Sequence, residues 1–216
     1  LTCTVGCLFN LTAPQKALLS AGGEVRWSVK ADDGSTSVFA ANSPFTFNLP
    51  TGTLLPLLNP GFETQGANAN LAQNWSTGNK QTDDLRKCGA GFGANGSNCS
   101  FQLKTTNSSK ISIVKQPLIN MFLGNAGDTL TLSVYVRQTL VVATKGIIKI
   151  KITYPGDVNV PLKITLPAGG TDTWSATPLT VSTVLTGTPV KYTVSAAVKK
   201  AAKGTIWVDD IQVTLD

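Results

Sequence analysis

The segment LLPLLNPGFET, Leu54 to Thr64, runs apolar residues into a turn-forming trio, Asn59-Pro60-Gly61, and then offers Phe62 and Glu63. Near the other end, TIWVDDIQVTL, Thr205 to Leu215, is β-branched and apolar around Asp209-Asp210. Two extended segments at opposite ends of a region are most simply neighbours in one sheet. That pairing closes the region into a domain and gathers three carboxylates, Glu63, Asp209 and Asp210. Crowded acids without Lys or Arg are costly unless a cation neutralises them, and Ca²⁺ is held by carboxylate and turn-carbonyl oxygens, so a structural Ca²⁺ is expected there. Alternation lets only one of Asp209 and Asp210 face inward without a bulge, and Asp209, on the face of Trp207, Ile211 and Val213, is favoured. The alternative leaves the acids solvated at a sheet edge, paired with Lys203.

Between these ends the chain is strand after strand. Ser100 to Leu103, Lys110 to Val114, Asp128 to Gln138, Gly146 to Tyr154, Leu162 to Leu166, Leu179 to Val184, Val190 to Val198 and Thr205 to Leu215 are rich in Val, Ile and Thr, with Gly, Pro, Asn and Asp between them. This predicts an all-β sandwich over 54–216. Alternation assigns Leu130, Leu132, Val134 and Val136, then Ile148, Ile150, Ile152 and Tyr154, then Val190, Tyr192, Val194 and Ala196 to the core. If those strands are neighbours, their outer face gathers Tyr135, Arg137, Lys149, Lys151 and Lys191. Residues 1–53 read as a second, small β unit with strands at Cys7 to Leu11, Glu24 to Lys30, Ser37 to Ala40 and Pro44 to Leu49. About fifty residues bury little, so this unit is expected to dock on the larger one or be completed by another chain.

Asn59-Pro60-Gly61-Phe62-Glu63, followed by Asn74-Trp75, Trp174 in TDTWSA and the closing WVDDIQV, resembles the carbohydrate-binding modules appended to bacterial cellulases and xylanases, over roughly 54–216. The resemblance implies a jelly-roll β-sandwich, a structural calcium at the matching Glu and Asp, mainly structural roles for Trp75 and Trp174, and binding of polysaccharide or cell-surface glycan. EVRWSVKADDGSTS with SPFTFNLPTGT is similar to the middle of the immunoglobulin-like repeats of bacterial surface proteins, which implies an immunoglobulin-like N-terminal unit.

Composition narrows the function. With 42% hydrophobic and 14% charged residues the chain is globular, and no apolar run approaches a membrane span. Leu1 is not followed by a basic and then an apolar stretch, so any export signal is expected to have been removed. Four cysteines fall as close pairs, Cys3 with Cys7 and Cys88 with Cys99, which points to local disulfides and an extracellular or cell-surface location. Zinc is the rival, poorly served by this spacing and a chain without His; a bridge between subunits through Cys3 or Cys7 is another. Sequons at Asn10, Asn74, Asn95, Asn98 and Asn107 are glycan acceptors in a secreted chain, or chance in a Ser/Thr/Asn-rich one.

Catalysis is disfavoured. Without His there is no Ser-His-Asp or Cys-His arrangement, and the one acid cluster suits a cation better than an acid/base pair. Gly91-Phe92-Gly93-Ala94-Asn95-Gly96 matches G-x-G-x-x-G, yet it is enclosed by Cys88 and Cys99 and followed by a strand-like SFQL, so it reads as a disulfide-tied loop rather than a dinucleotide site. All four Trp (Trp27, Trp75, Trp174 and Trp207) sit where core packing accounts for them. Tyr135, with Arg137, Gln138, Lys115 and Gln116, is the expected ligand-binding group. Bases interleaved with exposed aromatics are missing, which argues against nucleic acid. The net charge of +6 lies beyond residue 53, and from Lys145 to Lys203 eight Lys face two Asp: an attraction for acidic partners, or ordinary edge protection. Two functions follow. One is a non-catalytic glycan-binding β-sandwich; the other is a structural subunit of an extracellular filament or surface layer, a homo-oligomer assembled through residues 1–53.

Overall fold

The computed structural model describes the strand backbone of 23–27, 30–32, 37–39, 45–49 and 53, and residues 54–216 apart from 80, 106–110, 119–122, 143–144 and 200–202. The chain divides into two compact units, Leu1–Thr53 and Leu54–Leu215. In the first, β1 (Gly23–Trp27) pairs antiparallel with β4 (Phe45–Leu49), and β2 (Lys30–Asp32) with β3 (Ser37–Phe39). The single strand expected over Glu24 to Lys30 is therefore two, because the chain changes partner after Trp27. The Cys7 to Leu11 strand, the Cys3–Cys7 pair, Asn10, Asn107 and assembly through the N-terminal segment all fall outside the described residues.

The larger unit is a jelly-roll β-sandwich. The chain enters it through β5 (Thr53–Leu54), which pairs with the last strand, β15 (Gly204–Leu215). The sheet built on β15 runs β13 (Leu179–Val184), β10 (Thr129–Gln138), β15, β8 (Cys99–Thr105), β7 (Leu85–Cys88). The facing sheet runs β12 (Val158–Thr165), β11 (Gly146–Tyr154), β14 (Lys191–Val198), β9 (Ser112–Leu118), β6 (Ser76–Gly78). The pairs along both paths are antiparallel. As the sequence implied, the two ends lie side by side: Leu55 N donates to Val213 O at 2.7 Å, and Ile211 N to Pro60 O at 3.2 Å.

Alternation builds the core. Leu130, Leu132, Val134 and Val136 from β10 meet Ile148, Ile150 and Ile152 from β11 and Tyr192, Val194 and Ala196 from β14, all buried. Val190, assigned to that core, is instead exposed just before β14 begins. β9 runs to Leu118 rather than stopping at Val114: Pro117 is tolerated because β6 pairs only with 113–115 and has ended before it. β12 starts earlier than expected, at Val158, directly after the Pro155–Asp157 turn.

One inference from parity fails. β10 belongs to the β15 sheet and β11 and β14 to the other, so Tyr135 and Arg137 face outward on one side of the molecule, and Lys149, Lys151 and Lys191 on the opposite side. Alternation fixes which way a side chain points within a strand but not which sheet the strand joins.

The Asn59-Pro60-Gly61-Phe62-Glu63 turn plugs one end of the sandwich. Asn59 ties it together: its Nδ2 donates to Thr64 O and Gln73 O, its Oδ1 accepts from Thr64 N at 2.9 Å, and its carbonyl accepts from Trp75 Nε1 at 2.9 Å. Asn59 and Phe62 both take positive φ, 55° and 57°. Strain at Phe62 is offset by its ring, fully buried between Trp75 (centroids 4.9 Å apart) and Phe101 (5.6 Å). Phe62→Ala should cost about 3–5 kcal/mol, to be read from the urea midpoint with Tyr135→Ala, a surface change, as the near-neutral control.

Candidate functional site

β15 carries a bulge that reorganises everything around it. Gln212 pairs with Ser133 and Asp209 with Tyr135, so Asp210 and Ile211 together oppose Val134 alone, and Asp210 takes φ 45°. The extra residue reverses the parity. Ile206 and Val208 point into the core before it; Ile211, Val213 and Leu215 do so after it. Asp209 therefore shares a face with Trp207 but not with Ile211 and Val213, and that face is the outer one.

Asp209 is nevertheless 0% exposed, because a loop lies over it. The loop is the Gly-rich segment tied by the Cys88–Cys99 disulfide. Ala94 N donates to Asp209 Oδ2 at 2.6 Å, Ser97 Oγ donates to the same oxygen, and Asp210 N donates to Oδ1 at 2.7 Å. Gly93 makes the loop possible: a Cβ there would lie 2.1 Å from Ser97 O. Burial pushes the Asp209 carboxyl up to about 6, with the hydrogen bonds from Ala94, Ser97 and Asp210 working against it and the charge of Asp210 adding to it.

Glu63 lies close by. Asp209 Oδ1 and Glu63 Cγ are both within 4 Å of the point a Cβ on Gly61 would occupy. Glu63 Oε1 accepts from the amides of Asn98 (2.8 Å) and Cys99 (2.9 Å). The carbonyls of Phe62 and Glu63 accept from Arg86, Nε and Nη2, each at 2.6 Å. Asp210 is half-buried and its Oδ1 accepts from Gln212 Nε2 at 3.2 Å.

These residues do not fit the expected Ca²⁺. Both Asp209 oxygens and one Glu63 oxygen are taken by N–H and O–H donors, and among the described residues no three acids, Cys or His converge as ligands. Ca²⁺ takes six to eight oxygens from carboxylates, carbonyls and water, a gathering that is not present among the described residues. The positive group beside the Glu63 turn is Arg86, which the sequence reading passed over because it stands 23 residues from Glu63.

The expected ligand group is divided. Lys115 is exposed on β9, in the other sheet. Gln116 is 3% exposed and structural: its Nε2 donates to Leu58 O (2.8 Å) and Asn74 O (3.0 Å), and its Oε1 accepts from Leu58 N (2.8 Å). Tyr135 and Arg137 remain together on the outer face of β10, while Gln138, paired with Ile206, turns to the other face; the outer pair gains neighbours the sequence had placed in the core. Trp75 is buried as expected, but Trp207 and Trp174 are only half-buried. Trp207 pairs with Arg137 across β15, and the segment holding Trp174 forms an isolated bridge to Arg137 at the same sheet end.

Arg137 is the hub. Its guanidinium carbon lies 4.6 Å from the Trp207 ring centroid, its Nε donates to Asp172 Oδ1 at 2.9 Å, and its Nη1 donates to Gly91 O at 3.1 Å. The hydrogen bond from Arg137 holds the Asp172 carboxyl below its ordinary value. Trp207 Nε1 donates to Gln102 Oε1 at 3.1 Å, Trp174 Nε1 to Gly91 O at 3.4 Å, and Gln138 Oε1 is buried without a protein donor. Of the candidate glycan acceptors, Asn74, Asn95 and Asn98 are all exposed.

The fold has solved counterparts, carbohydrate-binding modules among them. The enzymatically active domain of bacteriophage CBA120 tailspike protein 4 matches at 13% identity and a TM-score of 0.55, over 74% of this chain but only 21% of that one. A cyclase from Fischerella sp. TAU matches at 13% identity and a TM-score of 0.57, over 76% of this chain and 98% of the cyclase. The CBM22-1 xylan-binding domain of Paenibacillus barcinonensis Xyn10C matches at 14% identity and a TM-score of 0.49, over 76% and 95%. At these identities the likeness is one of fold alone. No protein-family model and no curated protein matches the chain.

Two outcomes are expected. An unfolded Asp loses its proton near 3.8 and Asp209 in the fold near 6, so the folded protein binds more protons between those values, and its stability falls as pH rises through that window, by about 3 kcal/mol. Urea melts at the two ends of the window should show that difference in the wild type relative to Asp209→Asn, which removes it. Separately, Ca²⁺ at a hundredfold excess over a true structural Kd adds about 2.7 kcal/mol, or roughly 5–11 °C in Tm; here Tm should be the same in excess Ca²⁺ and in EDTA.

Proposed function

We propose that the larger unit is a non-catalytic glycan-binding module working outside the cell, with its site on the outer face of the β15 sheet around Arg137. The observation that carries this reading is the grouping of Tyr135, Trp174 and Trp207 about a guanidinium already fixed by Asp172 and Gly91. Sugar recognition needs aromatic faces for the C–H side of a pyranose ring and oriented planar groups for its hydroxyls. Both are present in the rings of Tyr135, Trp174 and Trp207 and the guanidinium of Arg137.

Two further observations support the rest of the reading. Of the acids near this site, Asp172 is paired with Arg137, and Asp209 is sealed from solvent with both oxygens hydrogen-bonded, so neither is poised to exchange a proton with a substrate. The Cys88–Cys99 disulfide suits an oxidising compartment.

Affinity electrophoresis or calorimetry against a panel of neutral plant and microbial polysaccharides tests the site. Tyr135→Ala and Arg137→Ala should each weaken binding to the retained polymer about tenfold, the scale of one lost aromatic or stacked contact. Unchanged retention in both variants would place any sugar site elsewhere.

A further inference from the structure

The β12-β11-β14-β9-β6 sheet has a charge pattern that its structural role does not require. Its five strands read VNVPLKIT, GIIKIKITY, KYTVSAAV, SIVKQPL and STG, without a single Asp or Glu. Their five lysines, Lys115, Lys149, Lys151, Lys163 and Lys191, alternate with the buried Leu162, Ile148, Ile150, Tyr192 and Val114, and so point outward. Register arranges them in rows. Lys163 pairs with Lys149, Lys149 with Ser195, Ser195 with Lys115, and Lys115 with Ser76, giving one row across all five strands. Lys151, between Pro161 and Thr193, stands in the next row, about 7 Å along the strand, and Lys191, opposite Thr153, in the one after.

Like charges directly opposite, as in Lys149 and Lys163, disfavour the pairing. Edge protection accounts for Lys163, on the edge strand β12, but not for Lys149, Lys151, Lys191 or Lys115, which lie on the inner strands β11, β14 and β9. The ion pairs formed by described residues, Lys104–Asp83 and Arg137–Asp172, lie elsewhere. A sheet face about 14 Å wide from β12 to β9 thus holds its positive charge without an ion pair to any described acid.

We propose that this face binds a linear acidic polysaccharide, its carboxylate or sulfate groups meeting the lysine rows as the polymer lies across the strands. Charge complementarity selects an anionic occupant, and the regular rows suit a polymer of regularly spaced charges. Single-stranded nucleic acid is the poorer fit, because the aromatic residues of these strands, Tyr192 and Tyr154, pack into the core and leave no stacking surface. Lysines, compact point charges without the planar fork of arginine, suit a densely charged polymer met without fixed bidentate geometry. This surface is separate from the Arg137 face and does not depend on it.

The test is retention on immobilised polygalacturonate and on heparin across a salt series, with double-stranded DNA, phosphatidylserine vesicles and neutral xylan as parallel supports. The expected result is salt-sensitive retention on an acidic polysaccharide, weakened about tenfold or more in the triple variant Lys115→Gln/Lys149→Gln/Lys151→Gln and unchanged in Lys104→Gln on the opposite sheet. Equal retention by triple variant and wild type overturns the proposal, as does tighter retention on DNA or vesicles than on either acidic polysaccharide. Circular dichroism of the triple variant separates lost binding from lost fold, and the xylan arm reports on the Arg137 site independently.

Discussion

The bulge at Asp210 is the constraint on which the larger unit depends. A twelve-residue strand in strict alternation would send either Ile206 and Val208 or Ile211, Val213 and Leu215 to solvent, at about 1.5–3 kcal/mol for each large side chain. One extra residue lets both sets reach the core. Asp209 lies outward beside Trp207, where a carboxylate is tolerated only because the loop supplies two donors to one of its oxygens and the bulge's own Asp210 amide one to the other. The disulfide, Gly93 and the Ala94 and Ser97 donors follow from that one requirement.

The turn around Phe62 answers the same strand from the other side. Pro60 O receives the amide of Ile211, next to the bulge, and Arg86 caps the carbonyls of Phe62 and Glu63. The Glu63 carboxylate in turn accepts the amides of Asn98 and Cys99. A guanidinium presents a fixed fork of donors to carbonyl oxygens that a metal ion would otherwise gather.

Much of this was legible in the chain. Period-two patterning located β10, β11, β13 and β15 to within a residue or so, and the motifs at the two ends placed them side by side. β6 and β7 were missed because three- and four-residue strands carry no periodic signal. The site was harder to read. Alternation said that Tyr135 and Lys149 both face outward, but only the pairing order says that they face opposite ways. Trp207 and Asp209 were misread because a bulge shows itself in sequence only as two adjacent polar residues in an apolar strand. Gln116 looked like a ligand contact, whereas its amide joins the Leu54 to Thr64 segment, the Asn74 turn and β9 into one unit. A buried amide with three backbone partners cannot be told from an exposed one by its neighbours in sequence.

The acid-free sheet also gives the molecule a direction. With positive charge gathered on one broad side, a sandwich approaching a negatively charged wall experiences a torque before it touches, over the roughly 8 Å that physiological salt leaves unscreened. It would settle flat, lysines down, with the tryptophan-bearing side turned to the surroundings: a landing posture imposed by the distribution of charge alone, whatever the aromatic side then meets.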